Sequence, residues 1–165
     1  MSKPIELACG KLRLIFEHRG DRYAHRIVVQ TADGERGWLS SAESLDESPW
    51  PTSPPLQQIH VESRDRGVVV ALAVGMAWRS HWSAAFELDP TNEQITCDVA
   101  CRVNTVPAWL GSSYELTSLA GWSVAALDDA RLFTEGERIT ILPAVLPTQA
   151  PETVRWRYRF GRCSR

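Results

Sequence analysis

Polar and apolar residues exchange places at every second position through most of this chain. The run "QITCDVACRV" (94–103) sets Ile95, Cys97, Val99, Cys101 and Val103 on one side and Thr96, Asp98, Ala100 and Arg102 on the other. That is the period-two pattern of a strand with one buried face. Runs of strand type recur at "KLRLIF" (11–16), "HRIVVQT" (25–31), "LQQIHVES" (56–63), "GVVVALAVG" (67–75), "SHWSAAFEL" (80–88), "GWSVAAL" (121–127), "ERITILP" (137–143) and "TVRWRYRF" (153–160). Between them stand "HRGDR", "ADGERG", "RDRG", "DPTNE" and "TEGE", clusters of Gly, Asp, Asn and Pro of the length that closes hairpins. Apolar residues at helical spacing are almost absent, and the one candidate for a short helix is "WSVAALDDARLF" (122–133). The pattern predicts an all-β chain, a single-domain antiparallel β-sandwich of about eight to ten strands.

The same parity rule sorts the stretch "GMAWRSHWS" (75–83). In 79–88, Trp82, Phe86 and Leu88 fall on the core side, while Arg79, His81 and Glu87 fall on the other. In 56–63, Gln58, His60 and Glu62 share one face, opposite Gln57, Ile59 and Val61. The run 67–76 is apolar on both sides, with Val68, Val70, Leu72 and Val74 forming a large row and Val69, Ala71, Ala73 and Gly75 a mostly small one. A tight "RDRG" turn would bring the small row beside Gln58, His60 and Glu62, as the floor of a groove. Histidine, carboxylate, arginine and amide groups on its walls suit a polyhydroxylated ligand, because each hydroxyl both donates and accepts. Trp50, Trp78 and Trp109 fall in loops or at strand ends, where an indole can stack on a sugar, and Tyr114 follows in the loop "WLGSSYEL" (109–116), whose Gly111 marks a close backbone approach. The alternative stands beside it: one solvated sheet face carrying weak charge pairs, with the tryptophans in the core.

The segment 40–55, "SSAESLDESPWPTSPP", holds four prolines and five serines, so it is a loop or an edge crossing. Trp50 either anchors it to the body or holds a ring out for a ligand. The tail "RWRYRFGRCSR" (155–165) is basic, with Trp156, Tyr158 and Phe160 between arginines. It reads as an alternating edge strand, through which the chain could self-associate into a homo-oligomer.

Composition narrows the classes. A net charge of -2 argues against nucleic acid as a partner, and no apolar run approaches the ~18 residues of a membrane span. The first residues, "MSKPIELACGKLRLIF", lack the charged-then-apolar order of a signal peptide, so the expected location is cytoplasmic. Cys97 and Cys101 would lie about 13 Å apart on one strand face, too far for a disulfide. No second pair or nearby histidine completes a zinc site, so Cys9, Cys97, Cys101 and Cys163 are expected as free thiols with no metal and no cofactor.

The order of strands with "SPPLQQIHVE", "SHWSAAFEL" and "WLGSSYE" resembles a trimmed β-sandwich of the galactose-mutarotase-like kind. That resemblance, one of layout across about residues 10–160, implies a carbohydrate ligand on a concave sheet face. The leading expectation is therefore a carbohydrate-binding or related small-ligand-binding sandwich, with Gln58, Arg79, Arg102, Trp50, Trp78, Trp109 and Tyr114 contacting the ligand. One alternative is a sugar epimerase or mutarotase-like enzyme in which His60 or His81 is the acid and Glu62 or Glu87 the base. Another is a protein-interaction module. Acyl and phosphoryl transfer are disfavoured, because no nucleophile elbow and no glycine-rich phosphate loop is present.

Overall fold

The computed structural model describes residues 2–44 and 47–164. Leu45 and Asp46 of the proline-rich loop, and Arg165 of the basic tail, lie outside the described residues. Alternation becomes strand almost everywhere. The strands are β1 (Ile5–Cys9), β2 (Leu12–Arg19), β3 (Arg22–Thr31), β4 (Gly34–Ser41), β5 (Gln58–Ser63), β6 (Val69–Ala77), β7 (Ser80–Asp89), β8 (Gln94–Val103), β9 (Ser112–Leu116), β10 (Trp122–Leu127), β11 (Arg131–Glu135), β12 (Arg138–Leu142) and β13 (Glu152–Arg162). The only helical element among the described residues is a 3-10 turn, Asp65–Gly67. Among the described residues no helix is long and apolar enough to cross a membrane.

Two antiparallel sheets face each other. One runs β1-β2-β3-β4-β9-β12-β11 and the other β10-β13-β8-β7-β6-β5. Tight turns join neighbours wherever the chain can reverse, as at Gly20, whose φ of 63° closes the β2–β3 hairpin in a region L-residues with a Cβ rarely adopt. The core lies between the sheets. Leu12, Leu14, Phe16, Ile27, Trp38 and Ile141 project from one sheet; Trp82, Phe86, Cys97, Val99, Trp156, Tyr158 and Phe160 meet them from the other. Phe16 and Phe86 join the layers edge to face, with ring centroids 5.2 Å apart.

Period-two reading holds in β7, β8 and β13, where every residue assigned inward is buried. It errs in four places. The stretch 122–133 is not a helix but β10, a turn with Asp128 at φ 53°, and β11. Trp122 and Val124 share the inner side of β10, and pairing with β13 overrides the helical preference of the alanines. Tyr114 and Glu115 are not in a loop but in β9, between β4 and β12. The basic tail strand is not an edge, since β13 has β8 on one side and β10 on the other, so no free ladder is left there for a second copy.

The fourth error reverses the faces of β6. Ala71, Ala73 and Gly75 point inward and are buried, while Leu72, Val74 and Met76 point out and are exposed. The cause is the end of the proline-rich loop. A Cβ on Gly75 would lie 1.5 Å from the Pro55 carbonyl oxygen, so that crossing segment packs directly on the β6 backbone, only a glycine fits beneath it, and parity carries Ala71 and Ala73 inward with Gly75. Gln57 fixes the crossing: its amide donates to Val74 O at 2.8 Å, and its side chain accepts from Met76 N and donates to Met76 O.

Gly75→Ala is expected to lower unfolding free energy by about 3 kcal/mol or more, because a backbone segment must move to admit the methyl. Gly37→Ala, where nothing stands within 4 Å of the new Cβ, is the control and should stay within ~1 kcal/mol. Both are read in a urea titration. In the same assay Trp82→Ala, at 3% exposure, should lose about 3–5 kcal/mol, and Trp78→Ala, at 61% exposure, much less.

Candidate functional site

Strand register assembles the outer face of the six-stranded sheet into cross-sheet rows. One row runs Met76, His81, Arg102, Thr153. The next runs Gln58, Val74, Ser83, Ala100, Arg155. A third runs His60, Leu72, Ala85, Asp98, Arg157, and a fourth Glu62, Val70, Glu87, Thr96, Arg159. Small residues therefore stack along β7 and β8, with taller rows on both flanks.

The result is a trough open to solvent. Its floor is Ser83, Ala85 and Ala100, and its apolar wall is Leu72, Val74 and Met76 of β6. His81, Arg102, Thr153 and the amides of Gln57 and Gln58 close one end, in a cavity of about 470 Å³. A second cavity of about 540 Å³ continues it past Leu72 and Ala85 to Asp98 and Arg155. The two share Val74, Ser83 and Ala100, and their volumes fall in the range of small-molecule sites.

The ends of the trough differ in charge. Asp98 accepts from Arg155 at 2.6 Å and lies 3.7 Å from Arg157, which also pairs with Asp128 at 2.9 Å. Those charges are matched within the protein. At the other end His81 and Arg102 are ladder partners, and among the described residues no carboxylate lies within 4 Å of either.

The remaining candidate residues scatter. His60 and Glu62 sit on edge strand β5 outside both cavities, and Glu62 accepts from Arg64 at 2.9 Å. Glu87 lies two strands from Glu62 across Val70, about 10 Å away at the usual strand spacing. His60 and His81 are separated by two strands and by four residues along them, on the order of 16 Å. Trp78 is exposed at the tip of the β6–β7 hairpin with φ 51°, and the Arg79 guanidinium lies 5.1 Å above its ring. It borders a small cavity with Asp21, Arg22, Glu47 and Ser48, and Met76 links that cavity to the trough. Trp50 is half-buried and packs edge to face on Trp82 at 6.4 Å, so it anchors its loop. Trp109 is half-buried with its ring edge over Gly111.

Tyr114 is removed from the ligand set by burial: at 1% exposure it faces the core. There it shares hydrogen bonds with His25 Nε2 at 2.8 Å and with Tyr158 Oη at 2.7 Å, while Trp156 Nε1 donates to Ser112 Oγ at 2.9 Å. The chain His25–Tyr114–Tyr158 ties the two sheets together through polar atoms. His25 hides in the sequence because "HRIVVQT" reads as plain strand; only an imidazole at an inward position signals it. Burial holds its pKa down to about 3, so it stands neutral in the fold. The thiols follow the same logic. Cys9 and Cys101 are buried and pushed up to about 12, burial also raises Cys97 well above the usual thiol value, and Cys163 is exposed. Among the described residues no group of three or more His, Cys, Asp or Glu side chains is placed to hold a metal ion.

Comparison with known proteins returned no match to a family model, to a curated protein or to a solved structure. The two antiparallel sheets agree with the sandwich layout expected from the sequence.

The neutral His25 sets a pH dependence. Its native pKa lies below the unfolded value near 6.5, so the unfolded chain binds the extra proton and stability falls as pH drops through that value toward 3. The loss should be on the order of 1 kcal/mol per pH unit between about pH 6.5 and 5. Half-buried Glu43, whose pKa is raised by desolvation, acts in the opposite sense between its ordinary value and its raised one, and flattens the slope there. Urea midpoints measured at half-unit steps, with His25→Phe as the variant that removes the slope, check this.

Proposed function

We propose that the protein is a small-ligand-binding β-sandwich whose site is the trough on the outer face of the six-stranded sheet. The observation that supports it is the continuous channel over Ser83, Ala85 and Ala100, walled by exposed apolar side chains and closed by His81 and Arg102. Leu72, Val74 and Met76 stand in a row, and each leaves apolar surface in water that burial against a ligand would stabilise. A carbohydrate is the second reading, and Trp78 favours it: an exposed indole beside Asp21, Glu47 and Ser48 offers a stacking ring with polar groups around it. The epimerase alternative lacks that kind of support. Acid and base must flank one reacting oxygen, and His60 and Glu62 stand outside the trough that holds His81.

Backbone amide shifts recorded with a panel of monosaccharides, oligosaccharides and small organic acids should move at Val74, Ser83, Ala100 and Arg102. His81→Ala and Arg102→Ala should leave the unfolding midpoint within ~0.5 kcal/mol and weaken a ligand about tenfold or more. His60→Ala should change neither. Shifts confined to β5, or a panel silent against folded protein, would end this reading.

A further inference from the structure

The trough's chemistry is unequal along its length, and that inequality defines its occupant. Leu72, Val74 and Met76 are 38%, 48% and 46% exposed and follow one another on the outward side of one strand. Aliphatic walls offer no hydrogen bond, so sugar hydroxyls pressed against them would lose water without replacement. A hydrocarbon fits there. The end cavity adds the opposite character, with the Arg102 guanidinium and the His81 imidazole side by side and Thr153 opposite Arg102 in the ladder. Nothing of the described protein neutralises Arg102, whereas Arg155 and Arg157 on the neighbouring strand are held by Asp98 and Asp128. A planar guanidinium with an adjacent ring nitrogen is a carboxylate receptor.

The far end excludes a second head group. Asp98 borders the trough there, already held by Arg155 and Arg157, so among the described residues no unpaired cation stands over Ala85 to receive one. The occupant is thus anionic at one end only. From the His81–Arg102 row to the Ala85–Asp98 row is four residues, about 13 Å, the reach of an extended chain of roughly eight to ten carbons.

We propose that the ligand is an amphiphilic monocarboxylate, with its carboxylate on Arg102 and His81 and its hydrocarbon chain along Ser83, Ala100 and Ala85 against Leu72, Val74 and Met76. This rests on the trough being the binding site and adds the chemical class. The Trp78 cavity takes no part in it.

The test is calorimetric titration of the intact chain with octanoate, octan-1-ol, octanedioate and maltotriose, with amide shifts followed in parallel. Octanoate should bind and shift Val74, Ser83, Ala100 and Arg102. Octanol, lacking the charge, and octanedioate, whose second carboxylate would lose water at an end where the cations are already paired, should bind at least tenfold more weakly. Arg102→Gln should weaken octanoate tenfold or more and leave octanol unchanged, Arg102→Lys should restore part of the loss, and Val74→Asp should abolish binding. Circular dichroism and urea midpoints confirm that each variant is folded. Octanol binding as tightly as octanoate, with no effect of Arg102→Gln, would overturn the head-group assignment and leave the trough as a site. Maltotriose shifting trough residues while octanoate is silent would overturn the ligand class alone. If no probe shifts any trough residue, both this inference and the binding reading fail.

Discussion

The close approach of Pro55 to Gly75 sets which way β6 faces in the six-stranded sheet. The Pro55 carbonyl oxygen occupies the space a Cβ would take, so only a glycine can face it there, and parity turns Ala71 and Ala73 inward with Gly75. Alternation then puts the large residues of the same strand outside. A packing constraint in the core thereby builds the apolar wall of the trough. The proline-rich segment is the agent of this, because its backbone lacks several amides and can cross a strand end without demanding ladder partners. Trp50 and Gln57 hold it in place, one by stacking on Trp82 and the other by bracketing Met76.

Sequence parity is dependable where one face is plainly richer in large apolar residues. In β8 the cysteines and valines leave no choice, and in β13 Trp156, Tyr158 and Phe160 are so much larger than their neighbours' apolar parts that burial follows. In β6 both faces are apolar, and size alone points toward the wrong one. The deciding contact comes from a residue twenty positions away, which local pattern does not contain. Register had the same status. That His81 meets Arg102 while His60 meets Leu72 depends on hairpin lengths, and one residue of slip would exchange the faces. The interior position of β13 was also hidden, because a terminal strand reads as an edge until β10 is seen to pair beyond it.

Aromatic residues divided along a similar line. Tyr114 reads as a binding residue beside a glycine in "WLGSSYEL", yet its hydroxyl is consumed by His25 and Tyr158. A buried phenol needs such partners, and a histidine kept neutral by burial is a suitable one. The polar chain between the sheets thus belongs to the fold and draws residues away from the surface list. Trp50 is claimed by the core in the same way. Trp78 is not: its positive φ and exposure place an indole where it adds little to packing, which is the kind of local cost that persists when surrounding structure enforces it.

The division of labour across the six-stranded sheet explains why its outer face is free to carry chemistry. Stability resides on the inner side, where Trp156, Tyr158 and Phe160 alternate with arginines that never enter the core. Two of those arginines are met differently from Arg102 of β8. Arg155 and Arg157 cross to Asp98 and Asp128 and staple β13 to its neighbours on both sides. Arg102, one strand over, has Thr153 as its partner in the same ladder, a position where an acid would have closed another such pair. Exposed ion pairs contribute little to stability, so the fold loses almost nothing by leaving that charge unmet. What it retains is an exposed cation at one end of the trough, beside His81 and Thr153, with no carboxylate of the described residues paired to it.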